Sequence, residues 1–381
     1  MEQTEIDRSM MRRCLELARQ AIGRTAPNPM VGCVILRDGA IVGEGFHPKA
    51  GEPHAEVFAL RQAGDRAEGA TLYVNLEPCN HYGRTPPCSE AVVAAGVKRV
   101  VVGMVDPNPK VAGGGIATIR KAGIEVVVGV EEEACQTLNE AFVHRILYQR
   151  PFGILKYAMT LDGKIAASSG HSYWVTGSAS RQKVHQLRVG CDAIVVGGNT
   201  VRQDNPELTT HGQATHNPLR VVMSRALNLP TEANLWKTKI APTIVFTGSN
   251  ADLEVQEKLV QQGVEVINLD ALTPGQVMKV LYDRGLNTVL WECGGTLAAQ
   301  AIADQCIQKV WAFIAPKIIG GVSAPSPVGD LGLEKMTQAL VLQRTRWSAI
   351  ETDFLLEGYL DRSAMRGEIA NEGEARSNVT G

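Results

Sequence analysis

Pro53-His54-Ala55-Glu56, followed further along by Glu77-Pro78-Cys79-Asn80-His81-Tyr82-Gly83-Arg84-Thr85-Pro86-Pro87-Cys88, is the stretch from which the rest of the chain is read. One histidine and two cysteines offer three nitrogen and sulfur donors. Zn²⁺ held by three protein ligands keeps a fourth position open, which is the arrangement of catalytic sites; structural sites are closed by a fourth residue. An open zinc site ionises water near neutral pH. Glu56 is not needed as a ligand and is spaced to carry a proton between that water and a ring nitrogen or leaving amine. Pro53 suits the first position of a helix, so His54 and Glu56 are expected in its opening turn. Deeper in a helix, residues two apart would diverge. Cys88 follows Pro86-Pro87 and opens an expected helix over residues 88–95, where the local dipole favours a thiolate.

Nucleobase deaminases carry H-x-E followed by P-C-x-x-C. Both halves are present here, but eight residues separate the two cysteines. A structural zinc would need a fourth donor at short spacing. His81 is the nearby candidate, yet it sits in a polar loop with Arg84, and that loop reads as facing substrate.

The 381 residues are enough for two domains with their own cores. A net charge of −2 gives none of the electrostatics of a nucleic-acid binder. The eight cysteines show no framework spacing outside Cys79 and Cys88, as expected in a reducing compartment. The N-terminus is too polar for a secretory signal, and no apolar run is long enough to span a bilayer. The expectation is a soluble, cytoplasmic protein without membrane or nucleic-acid partners.

The pattern of elements gives the fold class. A helical stripe over residues 7–22 breaks at Ala26-Pro27-Asn28-Pro29. Strands over 31–36 and 40–44 flank Arg37-Asp38-Gly39, a hairpin turn signal. The His54 helix, strands over 71–75, 97–105 and 124–130, a helix over 116–121 and one long helix over 132–148 follow. Pro151 ends that helix, and the boundary between domains is placed at residues 149 and 150. The second half alternates strands (153–160, 193–196, 220–223, 243–247, 264–268, 288–291, 309–315, 352–360) with helices (178–189, 253–262, 275–284, 296–304). Such alternation argues for α/β sheets covered by helices. Residues from about 363 lose periodicity and read as a disordered tail. No dinucleotide fingerprint or P-loop appears. Glu292-Cys293-Gly294-Gly295-Thr296 does place two glycines between a strand and a helix, where backbone N–H groups can meet phosphate.

Taken together, these stretches closely resemble the bifunctional deaminase/reductase family of riboflavin biosynthesis. The resemblance rests on Pro27-Asn28-Pro29-Met30-Val31-Gly32, Gly51 to Glu56, the cysteine loop and Asp106-Pro107-Asn108-Pro109. In the second half it rests on Lys156 to Lys164, Trp174-Val175-Thr176, Thr200 to Pro206, and Glu292 to Gly295. It implies a cytidine-deaminase-like three-layer α/β/α domain (1–149) and a dihydrofolate-reductase-like α/β domain (150–362), with Zn²⁺ and NADPH. It implies removal of the 2-amino group of a diamino-ribosylamino-pyrimidinone 5′-phosphate, then reduction of the ribosyl sugar to ribityl.

Site residues carried over from the resemblance are as follows. Glu56 is catalytic, and His54, Cys79 and Cys88 hold the metal. Asn28, His81, Arg84, Asp106 and Asn108 contact the deaminase substrate, with Arg84 suited to its phosphate. Ala158, Trp174, Thr200, Asp204 and the Gly294-Gly295-Thr296 loop contact the nucleotide. Ser172, Arg188, Leu208, His211 and Glu292 contact the reductase substrate. Lys156 and Asp162 read as plain strand and turn residues. A homo-oligomer acting on small phosphorylated pyrimidines is expected.

One departure stands out. Where the family commonly has Arg-Val-Val-Leu-Asp, this chain has Arg220-Val221-Val222-Met223-Ser224. Arg225 follows directly, and a hydroxyl with a guanidinium suits a 2′-phosphate better than the carboxylate they displace. Three rivals are weighed. A deaminase with an inactive second domain would have lost Asp204-Asn205-Pro206 and Glu292 to Gly295. An editor of nucleic acid would have short cysteine spacing and a basic surface. A zinc-stabilised interaction module would need four protein ligands and give Glu56 no role.

Overall fold

Small residues let the backbones of the first sheet and its helices touch, and this contact sets the fold around the His54 stretch. The structure, a computed structural model, describes residues 2–82, 86–109 and 111–361. Two compact units emerge: Met1–Phe152 with Leu281–Asn287, and Gly153–Val280 with the chain from Thr288 on.

In the first unit, β1 (Gly32–Arg37) and β2 (Ala40–Phe46) form an antiparallel hairpin. Its turn uses Asp38 and Gly39, both at positive φ, as the Asp-Gly signal requires. The sheet continues through β3 (Thr71–Leu76), β4 (Arg99–Met104) and β5 (Glu125–Val128), in the order β2-β1-β3-β4-β5. The last three strands are parallel, and β3 is buried along its length. Strands covered on both faces must be apolar throughout, as Val100, Val101 and Val102 are in β4. Helix α1 (Gln3–Arg19) packs on β1 and β3. Helices α2 (Ala55–Ala63), α3 (Cys88–Ala94) and α4 (Gly114–Lys121) pack against one another. Three layers result.

α2 presents Ala55, Ala59 and Ala63, all buried, to β2. A Cβ on Gly43 would strike the Ala59 carbonyl, and one on Gly45 would strike the backbone of Ala55 and Ala59. This glycine–alanine contact brings the first turn of α2 against the sheet, and so fixes where His54 and Glu56 point.

The expected long helix is two helices, α5 (Glu132–Leu138) and α6 (Glu140–Tyr148). Asn139 divides them because its side chain is used elsewhere: Oδ1 accepts from Met30 N at 2.8 Å and Nδ2 donates to Met30 O at 3.0 Å. A polar side chain that completes a neighbouring segment's backbone pairing outweighs one residue of helical regularity.

The second unit is built on a nine-stranded sheet in the order β10-β9-β8-β7-β11-β6-β12-β14-β13. Its strands are β6 (Phe152–Thr160), β7 (Ala193–Gly197), β8 (Leu219–Met223), β9 (Thr243–Thr247), β10 (Glu265–Asn268), β11 (Thr288–Trp291), β12 (Lys309–Ala315), β13 (Leu342–Ile350) and β14 (Asp353–Leu360). Helices α7 (Ser178–Val189), α8 (Gly198–Asp204), α9 (Leu253–Gln261), α10 (Pro274–Asp283) and α11 (Gly295–Ala303) lie between them. Neighbours β12 and β6, β11 and β7, and β7 through β10 run parallel, and β12-β14-β13 is antiparallel. Sequence reading misses α8 and β13. Helix α8 is too short to show a stripe, and β13 is exposed along most of its length, so it has no buried face to produce alternation. The expected tail from residue 363 lies outside the described residues. Among the described residues, no helix is long and apolar enough to cross a membrane.

Candidate functional site

His54 lies one residue outside the helix, as its N-cap, and Pro53 precedes the cap. The expectation that Pro53 opens the helix is thus off by two residues, since Ala55 is the first helical residue. His54 adopts extended backbone (φ −75°, ψ 164°), which turns its ring across the helix mouth, while Glu56 is the second helical residue. Cys88 is the first residue of α3, after the cap Pro87. Cys79 lies three residues past the end of β3, and its Sγ accepts the Cys88 N–H at 3.3 Å.

These elements converge. His54 Nδ1 lies 3.5 Å from Cys79 Sγ and 3.3 Å from Cys88 Sγ. All three donor atoms lie within 4.8 Å of one another. A tetrahedral zinc with Zn–S about 2.3 Å and Zn–N about 2.05 Å separates nitrogen from sulfur by about 3.5 Å. The donors therefore fit zinc in both kind and spacing. The hydrogen bond from Cys88 pushes the Cys79 thiol down to about 4, and the same contact pushes Cys88 up, as two sulfurs sharing one proton should.

Glu56 is 3% exposed, and its Oε2 has no hydrogen-bond partner. Burial pushes its carboxyl up to about 7, so it can both take and give a proton near neutrality.

Two further residues organise the walls, and sequence reading assigned neither a role. Glu77 is buried and accepts four backbone N–H groups: Asp106 at 3.1 Å, Gly113 at 2.9 Å, Gly115 at 2.9 Å and Ile116 at 3.1 Å. It ties the Asp106 loop and the start of α4 to the segment that carries Cys79. A Cβ on Gly115 would strike the Pro78 carbonyl, so this approach requires glycine. His47, at the end of β2, bridges Pro53 and Asn28. Its Nδ1 lies 3.0 Å from Pro53 O, and its Nε2 lies 3.0 Å from Asn28 Nδ2. A carbonyl can only accept, so Nδ1 carries the proton and Nε2 accepts from the Asn28 amide. Burial pushes His47 down, which keeps this neutral form.

Of the expected substrate contacts, Asn28 is held by His47, and Asp106 accepts from Asn108 N at 2.8 Å. Burial pushes Asp106 up, and His81 lies close enough to pull it back. Arg84 lies outside the described residues.

In the second unit, the candidate residues collect beyond the carboxyl ends of strands, where open α/β sheets bind ligands. Thr200 and Asp204 lie on α8 after β7, Ser224 and Arg225 follow β8, and Glu292 to Thr296 follow β11. Ser172 Oγ donates to Asp204 Oδ1 at 3.2 Å, and burial pushes that carboxyl up. Trp174 is exposed, with the Arg181 guanidinium 4.3 Å above its ring. Ala158 lies in β6, opposite Phe313. Gly294 caps α11, and nothing lies within 4 Å of where a Cβ would sit, so the backbone there is open to a ligand. Gly295, in contrast, is pressed against Ser326 and Gly329.

Glu292 is the charged centre. Arg188 reaches both its oxygens, Nε to Oε1 at 2.7 Å and Nη2 to Oε2 at 3.1 Å. Lys156 Nζ lies 3.5 Å from Oε2. Burial alone would raise this carboxyl, but the two cations hold it down at about 2. Lys156, read from sequence as a plain strand residue, is thus the third member of a buried ion cluster. Arg188 Nη1 also donates to Thr209 O at 2.9 Å, which joins the cluster to the loop of Leu208 and His211. Asp162 accepts from Gly320 N at 2.7 Å and from Thr160 Oγ1 at 2.5 Å, so it fastens a loop.

Arg225 lines a cleft of about 290 Å³ with Gly248, Ser249, Asn250, Asp270 and Thr273. Ser224 is buried beside Gly198, and no ligand-facing role is visible for it.

Residues 151–356 match the family model described as the RibD C-terminal domain, and residues 4–104 match the cytidine and deoxycytidylate deaminase zinc-binding region. The riboflavin biosynthesis protein RibD of Synechocystis is 60% identical over 98% of this chain and 99% of its own length. The solved structure of Acinetobacter baumannii RibD matches with a TM-score of 0.84 at 37% identity, covering 94% of this chain and 100% of that one. A diaminohydroxyphosphoribosylaminopyrimidine deaminase/5-amino-6-(5-phosphoribosylamino)uracil reductase from Thermotoga maritima matches at 0.81 and 35% identity, covering 94% and 99%.

Proposed function

The chain belongs to the RibD family of riboflavin-biosynthesis deaminase/reductases, and from that membership we propose how its own residues divide the two reactions. It is a bifunctional enzyme, a deaminase in its first half and a reductase in its second. The substrates are a 2,5-diamino-6-ribosylamino-4(3H)-pyrimidinone 5′-phosphate, which loses its 2-amino group, and the resulting 5-amino-6-(5-phosphoribosylamino)uracil, whose ribosyl chain is reduced to ribityl. We place the division between the halves at residues 149 and 150.

The observation that carries the first half is the meeting of His54, Cys79 and Cys88 at zinc spacing beside a buried Glu56 whose Oε2 has no hydrogen-bond partner. Zinc held by those three residues would supply a Lewis acid that makes water nucleophilic at neutral pH. Glu56 would take one proton from the attacking water and pass it to the ring nitrogen, then take the proton of the new hydroxyl and pass it to the amino group, which leaves as ammonia. Its pKa near 7 suits both directions. Asn28, His81, Asp106 and Asn108 orient the pyrimidine, with Arg84 at the phosphate.

For the second half, NADPH, when bound, would supply a hydride for the sugar C1 in its open imine form. Arg188 and Glu292 hold the sugar through a network whose charges compensate one another, and Ser172, Leu208 and His211 complete the substrate side. Ala158, Trp174, Thr200, Asp204 and the Gly294-Gly295-Thr296 turn receive the nucleotide. Arg225, with Ser249 and Asn250, suits the 2′-phosphate, which favours NADPH over NADH.

Incubation with the diamino-pyrimidine, with and without NADPH, followed by product masses, tests both halves. Without NADPH the mass should change as an amino group becomes an oxo group; with it, two further hydrogens should appear. A product that stops at deamination in the presence of NADPH would favour an inactive second domain.

A further inference from the structure

His185 lies on α7, one turn before Arg188, and its ring lies flat against that of His211. The centroids are 4.0 Å apart and the planes differ by 20°. His211 is exposed and His185 half-buried beneath it. Among the described residues neither ring has a hydrogen bond, so the stack is what places the His211 imidazole.

The backbone around His211 is fixed independently. Asn205, Leu208 and His211 all hold positive φ (40°, 50° and 48°), a conformation that residues with a Cβ keep only where the surroundings impose it. Those surroundings are visible. Thr209 O accepts from Arg188, Thr209 Oγ1 accepts His211 N at 3.3 Å, and Thr210 N donates to Asn217 Oδ1 at 2.9 Å. A strained loop thus carries His211 to a defined place, and only one aromatic face defines how its ring lies.

We propose that His185 is a positioning residue of the reductase half: its ring is the platform on which His211 meets the phosphate of the pyrimidine substrate. The proposal rests on the reductase reading above, which puts a phosphorylated sugar beside His211. The charged groups around the pair are Arg188, Glu292 and Lys156 for both rings or His185, and Glu207 for His211. Burial, with Arg188 adding to it, pushes both rings down, and the neighbouring His211 pushes His185 down further, to about 4. The pair therefore enters the encounter neutral. When an anion arrives, one ring takes a proton. It is the exposed His211, because two imidazolium rings at this separation would repel. His185 then offers a neutral aromatic face to a cation. A flat ring is needed for this and a second titrating group is not, which gives the proposal its test.

His185→Ala and His185→Phe, made in the full zinc-loaded chain, are assayed for NADPH oxidation with the deaminated substrate. We expect His185→Ala to raise KM for the pyrimidine about tenfold, the size of a lost interaction with a charged group. Its kcat and its KM for NADPH should stay within about twofold of wild type. His185→Phe should bring the pyrimidine KM back, and in a His211→Ala background His185→Ala should add nothing. An unchanged KM in His185→Ala, a loss in kcat instead, or a Phe variant as weak as the Ala variant would overturn the proposal. Circular dichroism and urea unfolding of the same preparations report whether the reductase half has folded; if that of His185→Ala has not, the pyrimidine KM of His185→Phe decides. No NADPH oxidation by the wild-type enzyme would strike the reductase reading itself.

Discussion

His54, Cys79 and Cys88 come from two helix starts and one strand-end loop that are close in the chain, whereas Lys156, Arg188 and Glu292 come from a strand, a helix and a strand end far apart. The first group leaves Glu56 Oε2, beside the three donors, without a hydrogen-bond partner. The second satisfies itself, with both Glu292 oxygens taken up by cations. On the proposed reading, the site that receives a metal keeps one buried acid oxygen uncompensated. On the same reading, the site that holds a sugar and a hydride donor uses its own ions as scaffolding. The first should fail by losing its ligand, and the second by losing its stability.

The sharpest break would come from the cysteines. Cys88→Ser or Cys79→Ser should lose both zinc and deamination, since a hydroxyl is a poor replacement for a thiolate ligand. NADPH oxidation with the deaminated substrate should persist. Metal analysis finding full zinc in either variant would remove that residue from the ligand set.

Glu56→Gln comes next. It should retain zinc and lose deamination by about 10²–10⁴-fold, the typical worth of one proton carrier. Rapid ammonia release by a zinc-loaded variant is the contrary result.

Glu292→Gln should act on stability first. It leaves Arg188 and Lys156 as two buried cations without their anion, which costs about 3–5 kcal/mol. The same residue sets a pH dependence. Its folded pKa of about 2 lies below the ordinary 4.5, so its contribution is fully present above pH 4.5. It disappears as pH falls toward 2, about 3 kcal/mol in all. Urea unfolding at pH 7 and pH 3 would measure both, and a variant with wild-type stability and wild-type acid sensitivity would dissolve the contrast between the sites.

Arg225→Ala should have the smallest effect, raising KM for NADPH about tenfold while barely changing NADH, as for one lost charged contact. Equal changes for both cofactors would take Arg225 out of the discrimination.

Sequence reading named the three donors that the structure brings together, because His-Ala-Glu and Pro-Cys encode their geometry locally. What it missed there, His47 and Glu77, are ordinary residues at strand ends. Their roles depend on which backbone groups the fold delivers to them. The second site was reached through resemblance to a family, and Lys156 shows why bottom-up reading stalled. A lysine in a strand gains meaning only when the sheet brings it against Glu292. The helix break at Asn139 has the same origin, since its partner Met30 lies at the other end of the unit's sequence. The covering of the sheets by helices was legible from the alternation of strand and helix patterns, and β13 was not, because it is exposed along most of its length.

Glu77 and His47 also bear on how this pocket could be altered. One wall, the Asp106 loop, is fastened to the segment that carries Cys79. The other, Asn28, is fastened through His47 to Pro53, next to His54. Redesign for another pyrimidine by loop grafting would therefore drag a metal ligand with it on either side. The workable route is side-chain exchange on a fixed backbone, at Asn108, with the two fasteners kept.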